Sequence, residues 1–331
     1  MGLDAFWRPI DVIGCHILGR RFIGAQSVDD VLAAGEQLKK QGFKVTYNLL
    51  GEHITDRKMV ETAVETTRQL FAKMNPDNDG NVSCKPTLYG LCLSKEVFAG
   101  IMEILAGYAY NRGVEIEFDA ENYEYIPSTF EIFSRLASHP IFKNSVRQAV
   151  QAHLKNIEKL MDEYRLWDKN LRIVKGSGVY KEDGSLISQN EFLVVERYLE
   201  ILRRNLRNGK MPFVATVRDA RLAQEAMDLA DSMKGPAVVQ TLFGPLGAGF
   251  RNAMMRRGYP VSIYIPFTDT WCRDAWKPYG LRRARMMRRL LWEQAKKTYN
   301  LNDPCGPFLE IEKSTLAFFL NSCMISINSL I

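Results

Sequence analysis

Eight short runs rich in β-forming residues, each followed by a stretch of helical periodicity, dominate the chain. They begin at Lys44 (KVTYNLLGE), Asn81 (NVSCKPT), Val114 (VEIEFDAE), Ser145 (SVRQAVQAHL), Leu171 (LRIVKG), Phe213 (FVATVRD), Ala237 (AVVQTLFG) and Val261 (VSIYIPF). Their starts lie 24 to 42 residues apart, which is room for one strand, one helix and two short connections each time. Amphipathic stretches fill the gaps: Asp56 to Met74 with Thr55 as the expected cap, Leu93 to Asn111 with Ser94 and Lys95 near its start, Asn190 to Asn208, and Arg221 to Met233. Eight β/α units in about 250 residues fit a (β/α)8 TIM-like barrel of the α/β class. A doubly wound sheet would need fewer strands and a G-x-G-x-x-G turn after the first, and none follows the run at Lys44.

This reading divides the chain into three parts. Residues 1–43 form an N-terminal helical segment, residues 44–300 the barrel, and residues 301–331 a C-terminal tail. Ser27-x-x-Asp30 resembles a capping box and opens a helix expected to end near Gly42. The first 21 residues lack a charged lead followed by an apolar run, so no secretory signal is expected, and Phe6 stands where a myristoylation signal needs Ser or Thr. The apolar stretch Leu316 to Ile331 is broken by Asn321, Ser322, Ser326, Asn328 and Ser329. It reads as a packed helix, with a peripheral membrane contact as the alternative.

Composition narrows the function classes. Hydrophobic residues are 46% and charged residues 25% of the 331, the balance of a globular protein with a core. The net charge is +6, from 44 basic and 38 acidic residues, and the basic residues are spread out except near Arg282. That distribution argues against a nucleic-acid partner. Six cysteines without a CxxC pair suggest a reduced compartment, and four histidines without HExxH or a His/Cys cluster give no reason to expect a metal.

Two motif-like segments fail on spacing. Asn75-x-Asp77-x-Asp79-Gly80 begins like a calcium loop, but Pro86 occupies its twelfth position, so a polar turn is expected. Gly244-x-x-Gly247-x-Gly249 has the wrong spacing for a dinucleotide loop and reads as a flexible βα loop.

A barrel places its site at the C-terminal ends of the strands. Glu52, Lys85, Asp119, Gln151, Lys175, Asp219 and Leu242 fall there. Lys85 ends its strand beside Pro86, which stops pairing. Asp119 and Glu121 share a strand face and could pair with Lys85 on the neighbouring strand, either to bind a ligand or only to close the barrel top. Arg172 and Lys175 flank the fifth run, and the following Gly176-Ser-Gly178 lets backbone approach a ligand; the cations suit an anionic or electron-rich cofactor. In Tyr279-Gly-Leu-Arg282-Arg283, two adjacent arginines near a helix start oppose the helix dipole, an arrangement suited to bound anions such as a carboxylate. A plain basic helix face is the alternative.

In order and spacing, these motifs together resemble the proline dehydrogenase family from about Gly51 to Arg289. GEHITD, VSCKPT, EFDAEN, VQAHL, LRIVKG, QTLFG and IYIPF followed by YGLRR each match a strand-end motif. The resemblance implies noncovalent FAD and oxidation of a secondary amine at the carbon next to nitrogen. For L-proline, hydride passes to flavin N5 and pyrroline-5-carboxylate forms. Electrons then leave to a quinone or another acceptor. It implies that Lys85, Arg282 and Arg283 hold the substrate carboxylate, that Asp119 lies near the amine, and that Tyr264, Tyr279 and Leu242 wall the ring. For the flavin it implies Gln151, Arg172, Val174, Lys175, Gly176, Arg218, Gln240 and Arg283.

The chain departs from the family at Met286 (a glutamate in the family), Arg218 (a histidine), His153 (an aromatic) and KGSGVY (KGAY), where Tyr180 would be the shifted aromatic. Two alternatives are a relative acting on a different imino or amino acid and a barrel that binds a ligand without turnover. Either a cytoplasmic location or one peripheral to a mitochondrial or bacterial inner membrane fits.

Overall fold

The computed structural model describes residues 23–74, 80–176, 183–216, 219–244, 248–275, 277 and 279–282. The chain divides into two compact units, residues 23–276 and residues 1–22 with 277–331. The first is a closed barrel whose eight strands are all parallel and lie in sequence order. They are β1 (Lys44–Leu49), β2 (Asn81–Cys84), β3 (Ile116–Phe118), β4 (Val146–Gln151), β5 (Leu171–Val174), β6 (Phe213–Ala215), β7 (Val238–Leu242) and β8 (Val261–Phe267). Closure runs through β1 and β8, paired from Lys44 opposite Ser262 to Leu49 opposite Phe267.

The described α-helices are α1 (Val28–Lys40), α2 (Arg57–Lys73), α3 (Lys95–Arg112), α4 (Ile126–Ser138), α5 (Ile157–Glu163), α6 (Glu191–Arg207), α7 (Ala220–Ser232) and α8 (Ala248–Arg256). Their starts follow side-chain capping. Ser27 Oγ accepts from Asp30 N at 3.1 Å and donates to the Asp30 carboxylate at 2.8 Å, so Ser27 caps α1. The cap of α2 is Asp56 and not Thr55: its Oδ1 accepts from Lys58 N at 2.8 Å and Met59 N at 3.4 Å, which a carboxylate at the positive helix end does well. Gly35 is required where α1 crosses β1, because a Cβ there would lie 2.2 Å from the Tyr47 hydroxyl.

The outward strand faces are apolar and carry the helices. Phe118, fully buried on β3, meets Phe98 of α3 and Phe133 of α4 edge-on at centroid distances of 6.0 and 5.5 Å. The inward faces differ from the Val, Ile and Leu usual in such barrels. Thr46, Asn48, Ser83, Glu117, Arg172, Gln240 and Ser262 are buried. A separate ionic group ties the N-terminal ends of the middle strands. Arg147 donates to Glu115 at 2.9 Å and to the Leu171 and Met211 carbonyls at 2.9 Å, and its guanidinium lies 4.1 Å from the Phe213 ring centroid. Glu115 also accepts from Asn81 and Asn170, both at 3.1 Å.

No helix among the described residues is long and apolar enough to cross a membrane. The expected turn over 75–79, the middle of the Gly244–Gly249 loop, the N-terminal 22 residues and the 301–331 tail lie outside the described residues. Because Phe118 fills the β3–α3–α4 junction, Phe118→Ala is expected to cost about 3–5 kcal/mol of stability, measured by urea denaturation. A cost below about 1 kcal/mol would mean that this junction does not carry the outer core.

Candidate functional site

Alternation along β3 and its extension puts Glu117, Asp119 and Glu121 on one face, and each carboxylate meets a different partner. Asp119 Oδ1 accepts from Arg172 Nη1 at 2.8 Å. Its Oδ2 accepts from the Tyr264 hydroxyl at 2.9 Å, which also lies 3.1 Å from Ser83 Oγ. The Arg172 guanidinium lies 4.9 Å from the Tyr264 ring centroid. Side chains of β5 and β8 therefore converge on the Asp119 carboxylate at the end of β3, and Ser83 of β2 meets the Tyr264 hydroxyl behind them. Burial, reinforced by Asp119, pushes the Tyr264 phenol well above its ordinary pKa, so it remains a donor. Burial disfavours the Arg172 cation, but Asp119 and Glu117 more than offset this and its pKa is raised.

Beneath this group lies Glu117, which is fully buried. Gln240 Nε2 donates to its carboxylate at 3.2 Å and to Thr46 Oγ1 at 3.1 Å. Arg172 Nη1 stands 3.9 Å from Glu117 Oε1. Burial pushes the Glu117 carboxyl up to about 7, against the pull of Arg172 and Arg147 and with help from Asp119. The sequence reading took Asp119 and Glu121 from EIEFDAEN and passed over Glu117. The signal was the same period of two, carried one step further back along the strand.

Lys85 and Glu121 do not form the expected pair. Lys85 Nζ donates to Glu52 Oε2 at 3.0 Å, both side chains being largely buried. Glu121 accepts from Thr87 N at 2.8 Å and Thr87 Oγ1 at 2.7 Å, and burial raises its pKa. The backbone amide and hydroxyl two residues past Lys85 satisfy both carboxylate oxygens, so Glu121 braces the loop that carries Lys85. Lys175 is paired as well, with Asp219 at 2.6 Å and with Glu191. Asp219 also caps α7 by accepting from Leu222 N at 2.9 Å.

Several polar atoms have no hydrogen-bond partner among the described residues. They include Gln151 Oε1 on β4, His153 Nδ1 just beyond it, Arg172 Nε on β5, and Gln240 Oε1 and Thr241 Oγ1 on β7. Buried polar atoms are ordinarily satisfied, so those on inward strand faces are candidates for ligand contact, although Asn48, Gln148, Asn205 and Gln224 among others hold such atoms as well. Gly176 closes β5 at φ +90°, and a Cβ there would lie 1.8 Å from His153 Nδ1, so both conformation and space require glycine. Leu242 stands opposite Tyr264 in the β7–β8 register, and Val174 opposite Gln151 and Ala215.

Tyr279 and Arg282 belong to the compact unit of residues 1–22 and 277–331, in which residues 279–282 are helical. Arg218, Arg283, Met286, Ser177, Gly178 and Tyr180 lie outside the described residues. Among the described residues no group of three His, Cys, Asp or Glu side chains could hold a metal ion.

The raised Glu117 pKa has a definite sign in stability. The folded state holds a proton that the unfolded state has already released between about pH 4.5 and about 7, so this group's contribution falls as pH rises through that window. The stability of the natural protein relative to Glu117→Gln is therefore expected to be greatest below about pH 5 and to decline toward pH 8, as read by denaturation at several pH values. A difference independent of pH would contradict the placement of this carboxyl.

Comparison with known proteins agrees with this architecture. The family model described as proline dehydrogenase matches residues 31–285. Proline dehydrogenase 2 of Bacillus subtilis strain 168 is 25% identical over 265 residues, covering 78% of this chain and 84% of that protein. Proline dehydrogenase of Deinococcus radiodurans is 25% identical over 264 residues, covering 77% and 83%. Among solved structures, proline utilization A from Bdellovibrio bacteriovorus, inactivated by N-propargylglycine, superposes with a TM-score of 0.69 at 18% identity, covering 82% of this chain and 32% of that one. A variant of proline utilization A from Bradyrhizobium japonicum gives a TM-score of 0.63 at 17% identity, covering 79% and 30%. At such identities these two likenesses speak for the fold, and the family match covers most of the sequence: the chain belongs to the proline dehydrogenase family.

Proposed function

We propose that this protein is an FAD-dependent oxidoreductase that converts L-proline to pyrroline-5-carboxylate and passes the electrons to a quinone or another acceptor. One observation carries the flavin part of the reading. Gln151, Arg172 and Gln240, which the sequence resemblance assigns to the cofactor, each hold a buried polar atom with no partner among the described residues. Two acceptors and one cationic donor suit a flavin, whose ring edge offers both N–H and carbonyl groups. The donor set therefore fits the group.

When bound, FAD supplies a two-electron acceptor at N5 for the hydride leaving the carbon next to nitrogen. Everything else falls to the chain. Asp119, held by Arg172 and Tyr264, keeps a fixed carboxylate for the substrate amine. Lys85 recognises the substrate carboxylate, and Glu52 holds its ammonium in place. The sequence resemblance, rather than the geometry, assigns Arg282 and Arg283 to that carboxylate, Tyr279 and Leu242 to the ring wall, and Val174, Lys175, Gly176 and Arg218 to the flavin.

His153, buried with its Nδ1 unpartnered among the described residues, stands where the family has an aromatic, which favours a second reading with a different imino or amino acid as substrate.

Anaerobic addition of L-proline to the purified protein tests the proposal. A flavin spectrum that bleaches is expected. Bleaching by a substituted proline but not by proline would support the second reading, and a protein purified without flavin would defeat both. Arg282→Ala is expected to raise KM for proline about 10- to 100-fold, the loss of one charge-assisted hydrogen-bonded pair. An unchanged KM would remove Arg282 from carboxylate recognition.

A further inference from the structure

Of the three β3-face carboxylates, Asp119 serves the proposed chemistry and Glu121 braces the loop that carries Lys85, which leaves Glu117 without an assigned role. It is fully buried, at 0% exposure. A carboxyl so placed is costly unless its acceptor capacity is taken up. Arg172 does not supply a close ion pair, because its Nη1 lies 3.9 Å away while the same nitrogen meets Asp119 at 2.8 Å. Arg172 and Arg147 act on it electrostatically from farther away, and the direct side-chain hydrogen bonding comes from Gln240, whose Nε2 donates at 3.2 Å to one carboxylate oxygen and lies 3.4 Å from the other.

That contact decides which way the Gln240 amide points. A primary amide has two N–H donors and one carbonyl oxygen. Here Nε2 meets two acceptors, Thr46 Oγ1 and Glu117. With Glu117 ionised, turning the amide over would set its carbonyl against a carboxylate, which cannot donate. Gln240 Oε1 is accordingly the atom left over, buried and without a partner among the described residues. On β5, Arg172 Nη1 donates to Asp119 and stands 3.9 Å from Glu117, and its Nε has no partner among the described residues.

We propose that Glu117 is a positioning residue: it holds the amide nitrogen of Gln240 and backs the guanidinium of Arg172, so that Gln240 Oε1 and Arg172 Nε are kept for the flavin. This rests on the flavin reading above.

The placement has an electrostatic consequence. The charged groups acting on Glu117 are Asp119 just beyond its own strand, Arg172 on β5 and Arg147 on β4; Tyr264 on β8 and Cys84 on β2 also feel its charge but are kept neutral by burial, and β1 and β7 present the neutral Thr46 and Gln240. Ionised Glu117 opposes the negative charge that a flavin gains on reduction, and neutral Glu117 does not. The burial that lifts its pKa puts this change of charge near neutral pH.

The test uses full-length, flavin-loaded protein with Glu117→Gln and Glu117→Leu. Flavin release is read by the fluorescence of freed FAD, and the midpoint potential of the bound flavin is measured from about pH 6 to about pH 8. Glu117→Leu, which leaves the Gln240 N–H unsatisfied, should release flavin about tenfold faster or more, as expected when a supporting hydrogen bond is lost. Glu117→Gln keeps an acceptor and should hold flavin within about threefold of the natural protein, yet its potential should lie above the natural protein's at about pH 8 and meet it near pH 6. Variants that melt earlier but match the natural protein in flavin release and in potential at every pH would overturn the inference. If Glu117→Leu does not fold, the potential of Glu117→Gln decides alone. A natural protein that carries no flavin defeats the flavin reading itself, and is told apart by its spectrum before any variant is made.

Discussion

One guanidinium, that of Arg172, holds the inside of this barrel together. Period-two alternation on β3 stacks Glu117 and Asp119 on one inward face, and both look across to β5 for a cation. Removing Arg172 would leave Asp119 and the face of Tyr264 without their cation and Glu117 with only the more distant Arg147, a loss far larger than a surface ion pair represents. Through these groups the network reaches Ser83 on β2, Gln240 on β7 and Thr46 on β1, so six of the eight strands have a side chain in it.

This arrangement separates stability from chemistry. The helices grip the outward faces of the strands through apolar contacts such as Phe98, Phe118 and Phe133. At the N-terminal ends Arg147 and Glu115 clamp the strands with satisfied hydrogen bonds. Farther along, the interior is polar, and several of its atoms have no hydrogen-bond partner among the described residues. A barrel that relied on its interior for stability would fill it with branched aliphatics. Here the interior is spent on oriented polar groups, which suits a site where the protein positions a substrate and tunes a cofactor.

The barrel was legible in the sequence because each strand is short, β-rich and separated by one helical stretch, and the capping signal at Ser27 marked the first helix. Thr55 was one residue early, because a threonine and an aspartate in succession both suit a cap and only the backbone decides which residue is extended. The pairing of Lys85 with Glu121 failed for a related reason. Sequence shows that two residues face the same side, but not how parallel neighbours are staggered, and the stagger brings Glu52 to Lys85 and Thr87 to Glu121. Glu117, in the middle of β3, does not stand out in the sequence because only closure of the barrel buries it. Asp119 and Arg172 stood out by their place at strand ends and Gln240 by resemblance, and the contacts of Asp119 with Arg172 and of Gln240 with Glu117 show why those residue types occur together.

A structure of the flavin-loaded protein at a resolution that fixes side-chain amides tests the central claim most directly. Gln151 Oε1, Arg172 Nε and Gln240 Oε1 are expected within hydrogen-bond distance, about 2.7–3.2 Å, of flavin atoms, with Gln240 Nε2 still on Glu117. A flavin bound with these three atoms turned to water or to other side chains would contradict the claim that the polar interior is built to receive it.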